Sequence, residues 1–249
     1  MMLKPELQKY CQKLGFNLGQ AEIDYLQHLF LSFLSHYSAE PLIFKGGTAL
    51  QKGYGLPRFS IDLDFTATNK KSFVELIKTI SKEIEHFGYS TKIEEVKTIG
   101  ETFILRISGP LSGASPMSIA SLRIEISLRE SLLLEPLKID VNPIYHDLKP
   151  YTIIVMAEKE ILAEKIRAIM TRNKPRDVFD LYFLLNKGII FDLHFVNTKL
   201  AYYQEVFEKK KFIEKVKEKQ IVWEQELNDY CHSVPEFKNI LIFISETIP

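Results

Sequence analysis

The stretch FKGGTALQKGYGLPRFSIDLDF, Phe44 to Phe65, places a glycine pair and an acid pair in one short segment. Gly46 and Gly47 follow a short apolar run and precede a helix-like stretch, so their amides can face an anion without obstruction by a side chain. Thr48 adds a hydroxyl at the same helix start. A Gly-Gly-Thr sequence alone is weak evidence for a phosphate site, since most such sequences are turns.

The acid pair lies on a segment that alternates apolar and polar residues from Ser60 to Thr66, which predicts a strand. Asp62 and Asp64 would then leave the same face, about 7 Å apart at the backbone. Two like charges on a partly buried face repel each other unless they are protonated or bridged by a cation. Mg²⁺ takes carboxylate oxygens readily. An isolated Asp-x-Asp is more often a solvated edge strand, so the pair alone leaves both readings open.

A third acid strengthens the metal hypothesis. In SLRIEISLRE, residues 121–130, Glu125 lies on the polar side of an alternating strand, opposite the apolar residues. If this strand lies beside the one that carries Asp62 and Asp64, three carboxylates converge. Such a cluster suits metal-assisted phosphoryl transfer, and Glu125 could also accept the proton of an attacking hydroxyl.

The pattern along the chain predicts an α/β front half and a helical back half, with a boundary near Pro150. Strand patterns cover residues 41–44, 60–66, 89–96, 103–108 and 118–129. Helical patterns cover most of residues 1–40, then 70–87, 158–170, 176–185, 197–220 and a segment after Pro235.

The composition is that of a globular protein without a global field, with 46% hydrophobic and 26% charged residues, a net charge of zero and a pI near 7.0. Any contact with nucleic acid must therefore use a local basic patch. The N-terminal residues have no signal-peptide pattern, and no apolar run reaches membrane-spanning length. Cys11 and Cys231 fit neither a metal site nor a disulfide framework. These features predict a cytoplasmic protein that does not interact with membranes.

Two motifs carry a family resemblance. Gly47-Thr48, followed after 13 residues by Asp62-Leu63-Asp64, resembles the signature of DNA-polymerase-β-type nucleotidyltransferases. The fuller run KGGTAL…RFSIDLD is similar to the AbiEii/MenT group, toxins of type IV toxin–antitoxin (abortive infection) systems. AEKIRAIMTRNKPRDVFDLYFL, Ala163 to Leu184, resembles the second signature of that group.

The resemblance implies an α/β (α+β) fold, with a nucleotidyltransferase-type mixed sheet flanked by helices and followed by a helical C-terminal part. Residues 1–150 would form the nucleotidyltransferase-type domain with its N-terminal helices. Residues 151–249 would form a helical domain that completes the active-site cleft.

The resemblance also implies residue roles. The expected nucleotide-binding residues are Lys45, Gly46, Gly47, Thr48, Arg58, Ser60 and Lys165. The expected ligands of Mg²⁺ or Mn²⁺ are Asp62, Asp64 and Glu125, which form the catalytic set together with Lys165 and Asp177. On helical periodicity alone, Lys165 is better explained by a side chain that extends along an apolar face to solvent. Asp177 is equally explained as an acid in the first turn of a helix.

The expected activity is Mg²⁺-dependent transfer of a nucleoside monophosphate from NTP to a hydroxyl acceptor. The resemblance implies an RNA acceptor, with the tRNA 3′ end as the leading candidate, and a cognate antitoxin as partner. Two alternatives remain open at this point. One is a non-catalytic module of the same fold that binds a nucleotide or a partner, and the other is a phosphotransferase acting on a protein or a small molecule.

Overall fold

The computed structural model describes residues 1–37, 42–68, 72–97, 100–113, 118–128 and 131–249. These residues form two compact units. Unit 1 consists of Met1–Tyr54, Phe59–Ser131 and Pro136–Val155, and unit 2 consists of Gly55–Arg58, Leu132–Glu135 and Met156–Pro249.

Unit 1 holds a mixed sheet and four helices within the described residues. The helices are α1 (Lys4–Leu14), α2 (Leu18–Leu34), α3 (Gly46–Tyr54) and α4 (Val74–Phe87). The strands are β1 (Leu42–Lys45), β2 (Leu63–Ala67), β3 (Thr91–Lys97), β4 (Glu101–Ile107), β5 (Ala120–Ser127), β6 (Leu137–Val141) and β7 (Tyr151–Val155). Their order across the sheet is β3-β4-β5-β2-β1-β7-β6.

β2 is the central strand of the sheet, with β1 and β5 as its neighbours. β2 pairs antiparallel with β1 and parallel with β5. β1 pairs parallel with β7, while β3–β4, β4–β5 and β6–β7 are antiparallel. The predicted mixed sheet flanked by helices is confirmed.

Local sequence explains where the unit 1 helices begin and end. α2 starts at a capping box, in which the Asn17 side chain accepts from the Gln20 backbone and the Gln20 side chain accepts from the Asn17 backbone. α4 ends at Gly88, which has a φ of 120°, as the sequence predicted. α2 packs on β5 and β7 through an apolar side that includes Leu26, Leu29 and Phe30, all buried.

Unit 2 is helical apart from its connecting segments. Its helices are α5 (Glu158–Thr171), α6 (Pro175–Asn186), α7 (Leu193–Ala201), α8 (Lys209–Glu218), α9 (Trp223–Leu227) and α10 (Phe237–Thr247), with a short 3-10 helix at Lys219–Val222. The predicted helical C-terminal part is confirmed. Within the described residues, no helix combines the length and the apolar character needed to cross a bilayer.

Several predicted boundaries are corrected by the structure. The single helix expected over residues 197–220 is two helices, α7 and α8, separated by a turn in which Gln204 has a φ of 56°. β6 and β7 were missed because each is only five residues long and β6 is mostly exposed. Pro41, Lys70 and Arg129, at the ends of predicted elements, lie outside the described residues.

Candidate active site

A row of charged residues crosses three neighbouring strands of unit 1. Asp64 on β2 is the register partner of Lys45 on β1 and of Glu125 on β5. Register partners on adjacent strands leave the sheet on the same side. The structure therefore places the acids Asp64 and Glu125 side by side, with Lys45 as the neighbour of Asp64 on the other strand.

β5 presents Glu125 because its side chains alternate between buried and half-exposed along the whole strand. On the half-exposed face, Arg123 Nε donates a hydrogen bond to Glu125 Oε1 at 2.5 Å. That bond, followed by the charges of Glu125, Asp62 and Asp64, raises the pKa of Arg123 against the opposing effect of burial. Arg123 is thus a fixed positive charge close to three carboxylates.

The three acids fit a hard divalent cation in chemistry but are not gathered around one point. Within the described ranges, no three His, Cys, Asp or Glu side chains lie close enough together to hold a metal ion. The side chain of Glu125 is instead paired with Arg123. Mg²⁺ and Mn²⁺ prefer carboxylate oxygens, and Arg123 shows that a positive charge is stabilised among Asp62, Asp64 and Glu125. The donor set therefore fits such a cation in its chemistry.

Gly46 opens α3 directly beside Asp64. Its φ of 75° lies in the left-handed region, and a Cβ built on it would lie 2.5 Å from Asp64 Oδ2. Only glycine combines this backbone conformation with so close an approach. Gly47 and Thr48 follow in the first turn of α3, where backbone amides have no acceptor within the helix. The amide-lined start of α3 and the Asp64 carboxylate are therefore neighbours.

Thr48 is oriented differently from what the sequence suggested. Its side chain is fully buried, and Oγ1 donates a hydrogen bond to the carbonyl oxygen of Asp62 at 2.5 Å. Because the hydroxyl is used within the chain, a phosphate contact by Thr48 would have to come from its backbone amide. The hydroxyl instead links α3 to the segment that carries the acid pair.

The strand predicted over Ser60 to Thr66 is wrong in its first half, because β2 begins only at Leu63. Asp62 therefore precedes the strand. Ser60 is buried, and its backbone N–H donates to Gln51 Oε1 at 3.0 Å. Side chains from the helices, rather than a neighbouring strand, satisfy the backbone here.

Unit 2 contains a buried ion cluster around the second sequence motif. Lys165 on α5 lies 3.0 Å from Asp177 Oδ1 and 2.6 Å from Asp180 Oδ2, both on α6. Arg172 donates two further hydrogen bonds to the Asp177 carboxylate, at 2.8 and 2.9 Å. Burial alone would raise the pKa of Asp177, but Lys165 and Arg172 hold it well below its usual range. Asp177 is thus an ionised, paired carboxylate as well as an acid in the first turn of α6.

Arg58, predicted to bind nucleotide, belongs to the same cluster. Its guanidinium makes a two-point pair with Asp180, at 2.6 and 2.7 Å, and the residue is 4% exposed. An arginine–carboxylate pair of this geometry is strong and orients both groups. The structure therefore shows Arg58 anchoring its own segment to α6, and nucleotide binding by Arg58 stays a prediction.

Three residues of these clusters were missed as site candidates. Asp180 follows Asp177 by three positions, a spacing that places two acids on neighbouring parts of one helix face. Arg123 shares the polar face of β5 with Glu125, two residues away. These spacings were visible in the sequence, whereas Arg172, outside any regular pattern, gave no such signal.

The second motif and the acid row fall within one family match. A sequence profile described as the nucleotidyl transferase AbiEii toxin of a type IV toxin–antitoxin system matches residues 30–241. The chain belongs to this AbiEii family. The match includes each of the predicted site residues, and it confirms the family expected from the two motifs. No curated protein matches the chain significantly.

Solved structures agree with the AbiEii assignment at the level of the fold. MenT4, a nucleotidyltransferase toxin from Mycobacterium tuberculosis, is 19% identical and superposes with a TM-score of 0.72 over 99% of this chain and 88% of MenT4. JHP933 from Helicobacter pylori is 20% identical, with a TM-score of 0.57 over 89% of each chain. At these identities the likeness establishes the nucleotidyltransferase toxin fold.

Proposed function

We propose that this AbiEii-family chain is a Mg²⁺-dependent nucleotidyltransferase that transfers a nucleoside monophosphate from NTP to a hydroxyl acceptor. The acceptor we propose is RNA, with the 3′ end of tRNA as the first candidate. In this proposal the protein acts as the toxin of a type IV toxin–antitoxin system and has a cognate antitoxin as its partner. Family membership supports the toxin assignment, and the geometry of unit 1 supports the chemistry.

The observation that carries the proposal is the position of Asp64. It lies between Lys45 and Glu125 in one cross-strand row, and its Oδ2 lies where a side chain on Gly46 would be. An anion at the start of α3 and a cation on Asp64 would therefore be adjacent. A site with both features suits a nucleoside triphosphate, because the backbone amides donate hydrogen bonds to its phosphate oxygens and the cation neutralises their charge.

The proposed roles follow from the residues. The amides of Gly46, Gly47 and Thr48 hold phosphate oxygens, and Asp62, Asp64 and Glu125 hold the divalent cation. When bound, Mg²⁺ supplies charge neutralisation at the phosphate oxygens and polarises the reacting phosphorus centre.

Glu125 also accepts the proton of the acceptor hydroxyl in this proposal. The acceptor oxygen forms a bond to the α-phosphorus, the bond from that phosphorus to the β-phosphate oxygen breaks, and pyrophosphate leaves. The chain contributes mainly orientation and charge, as in phosphoryl transfer generally.

The remaining predicted residues have supporting roles. Lys45, Arg58 and Ser60 stay candidates for nucleotide binding, although Arg58 is paired with Asp180 and Ser60 is buried. Lys165 is proposed to neutralise nucleotide phosphate, with Asp177 fixing its ammonium group at 3.0 Å.

The decisive experiment is incubation of the protein with each α-labelled NTP in turn, together with Mg²⁺ and total RNA, followed by sizing of the labelled products. We expect one or more NTPs to label RNA, with release of pyrophosphate and with loss of the signal in EDTA. The Asp62→Ala variant should not label RNA.

Each rival predicts a different product. Labelling that persists in Asp62→Ala would refute the assignment of the acid pair. Release of ADP from ATP, with label transferred only from γ-labelled ATP, would indicate the phosphotransferase. NTP binding that is independent of Mg²⁺ and gives no product would indicate the binding module.

A further inference from the structure

The segment Ser60–Asp62, directly before β2, is held by side chains instead of by strand pairing. β2 begins at Leu63, so these three residues precede the strand. Their three consecutive carbonyl oxygens all accept hydrogen bonds from helix side chains. In a strand, such groups are satisfied through the sheet. The backbone up to Asp62 is thus held by side chains of the helices.

Two glutamines, Gln27 and Gln51, called here the glutamine pair, make most of the side-chain hydrogen bonds to the backbone of this segment. Gln27 on α2 is fully buried, and its Nε2 donates to the carbonyl oxygens of Ser60 at 2.9 Å and of Ile61 at 2.7 Å. Gln51 on α3 accepts from the Ser60 N–H at 3.0 Å through Oε1. The backbone groups of Ser60 and Ile61, which precede Asp62, are therefore held by amide side chains of two helices.

A buried carboxylate sets the orientation of Gln51. Its Nε2 donates to Asp24 Oδ1 at 3.1 Å, while Lys52 and the hydroxyl of Tyr145 also bind Asp24. Burial would raise the pKa of Asp24, but the charges of Lys52 and His28 and the hydrogen bonds from Lys52 and Tyr145 together lower it. An ionised carboxylate only accepts hydrogen bonds. The amide nitrogen of Gln51 must therefore face Asp24, which leaves its oxygen facing Ser60.

One atom of Gln27 has no role in this arrangement. Its Oε1 is buried and has no hydrogen-bond partner among the described residues, which costs free energy of folding. The two Nε2 hydrogen bonds offset that cost, because without them the carbonyl groups of Ser60 and Ile61 would lose a donor. The main contribution of the Gln27 amide is therefore to hold the backbone that precedes Asp62.

We propose that Gln27 and Gln51 are positioning residues, which hold the Ser60–Asp62 backbone so that the Asp62 carboxylate is presented to the divalent cation. The proposal rests on the proposed function, since it assumes that Asp62 is a cation ligand. Partners that orient metal ligands are typically worth about 10–100-fold in metal affinity or activity. The glutamine pair would orient Asp62 in this way indirectly, by holding the backbone of the two residues before it.

The test is direct binding of Mn²⁺ to the purified chain, measured by isothermal titration or by the EPR signal of the free ion, without substrate. For Gln27→Met we expect the Mn²⁺ dissociation constant to rise about 10-fold or more. We also expect a lower kcat for nucleotide transfer, with little change in the KM for NTP. Gln51→Met, at a half-exposed position, should shift both quantities in the same direction.

Ile80→Val is the matched control. Ile80 is fully buried in α4 of the same unit and makes apolar contacts. Its variant should lose thermal stability without a change in Mn²⁺ affinity. Unchanged Mn²⁺ affinity in folded Gln27→Met or Gln51→Met, or the same loss in Ile80→Val, would overturn the positioning role.

Failure of the underlying function has a different signature. If the wild-type chain binds Mn²⁺ no better than Asp62→Ala, the acid pair is not a cation site, and both proposals fall together. If wild type binds Mn²⁺ through Asp62 and the glutamine variants bind it equally well, only the positioning role is lost.

Discussion

Replacing Gly46 with alanine should remove most nucleotide transfer and leave the fold in place. At a φ of 75°, an L-residue costs about 1–2 kcal/mol. The new Cβ would lie 2.5 Å from Asp64 Oδ2, whereas ordinary van der Waals contact begins at 3.4 Å. Either the carboxylate or the start of α3 must therefore move by about 1 Å, and a misplacement of that size can cost about 10²-fold in rate.

Gly188 offers a matched control for the backbone term. Its φ is 89°, and a Cβ there would meet no atom within 4 Å among the described residues. The backbone cost should therefore be similar in Gly46→Ala and Gly188→Ala, and corresponds to unfolding about 2–8 °C below wild type. Gly46→Ala should lose more stability than this, because its Cβ also contacts Asp64. Only Gly46→Ala should displace Asp64.

The assay is the steady-state rate of α-labelled NTP incorporation into RNA, with circular dichroism melts of both variants. We expect Gly188→Ala to keep nearly the wild-type rate and Gly46→Ala to fall about 100-fold. If Gly46→Ala is as active as Gly188→Ala, Asp64 beside the start of α3 is not the reacting centre, and the reasoning from this contact is refuted.

Three other predictions follow from the two clusters. Asp64→Asn should lower the transfer rate by more than about 100-fold at unchanged fold, since loss of a metal ligand should exceed loss of a partner that orients one; a smaller drop in labelled-NTP incorporation would contradict its role. Arg123→Gln removes the guanidinium that is paired with Glu125 at 2.5 Å. In calorimetry, Mg²⁺ should therefore raise the melting temperature of this variant more than that of wild type. Equal shifts would argue against the idea that Arg123 and Mg²⁺ share one cation position. Asp177 has a folded pKa below its ordinary 3.8, so its stabilisation is present above pH 3.8 and is lost as pH falls towards the folded value. Thermal melts from pH 5 to pH 3 should therefore show a steeper loss in wild type than in Asp177→Asn. This variant should already be about 1.5–3 kcal/mol less stable at pH 7, because Lys165 loses one of its two buried carboxylate partners.

The sequence predicted which side the candidate acids would face better than it predicted the secondary structure around them. Alternation in SLRIEIS was enough to place Glu125 on a half-exposed face, because every second side chain of a strand points the same way. The same rule assigned Asp62 to a strand, which was wrong. Two helix side chains, Gln27 and Thr48, bind the backbone carbonyls there, and no periodicity within the segment reveals partners that are 14 to 34 residues away.

The unit 2 cluster shows a similar division. Helical periodicity placed Asp177 in the first turn of its helix, which is confirmed. Lys165, which could have extended along an apolar face to solvent, is buried. Whether Lys165 reaches solvent or a carboxylate depends on how α5 packs against α6. That packing places the Lys165 ammonium group against Asp177 and Asp180. Arg58, which lies 122 residues before Asp180 in the chain, also pairs with Asp180.

By itself, the sequence determined the family, the mixed α/β sheet with its helical continuation, and the chemical types at the site, because these depend on local pattern and on motif spacing. The tertiary structure alone decided that Asp64 lies between Lys45 and Glu125, that Gly46 must lack a side chain, and that helix side chains hold the backbone up to Asp62. These are contacts between segments distant in sequence, and strand order and register set them. The local propensities of a chain do not specify strand order or register.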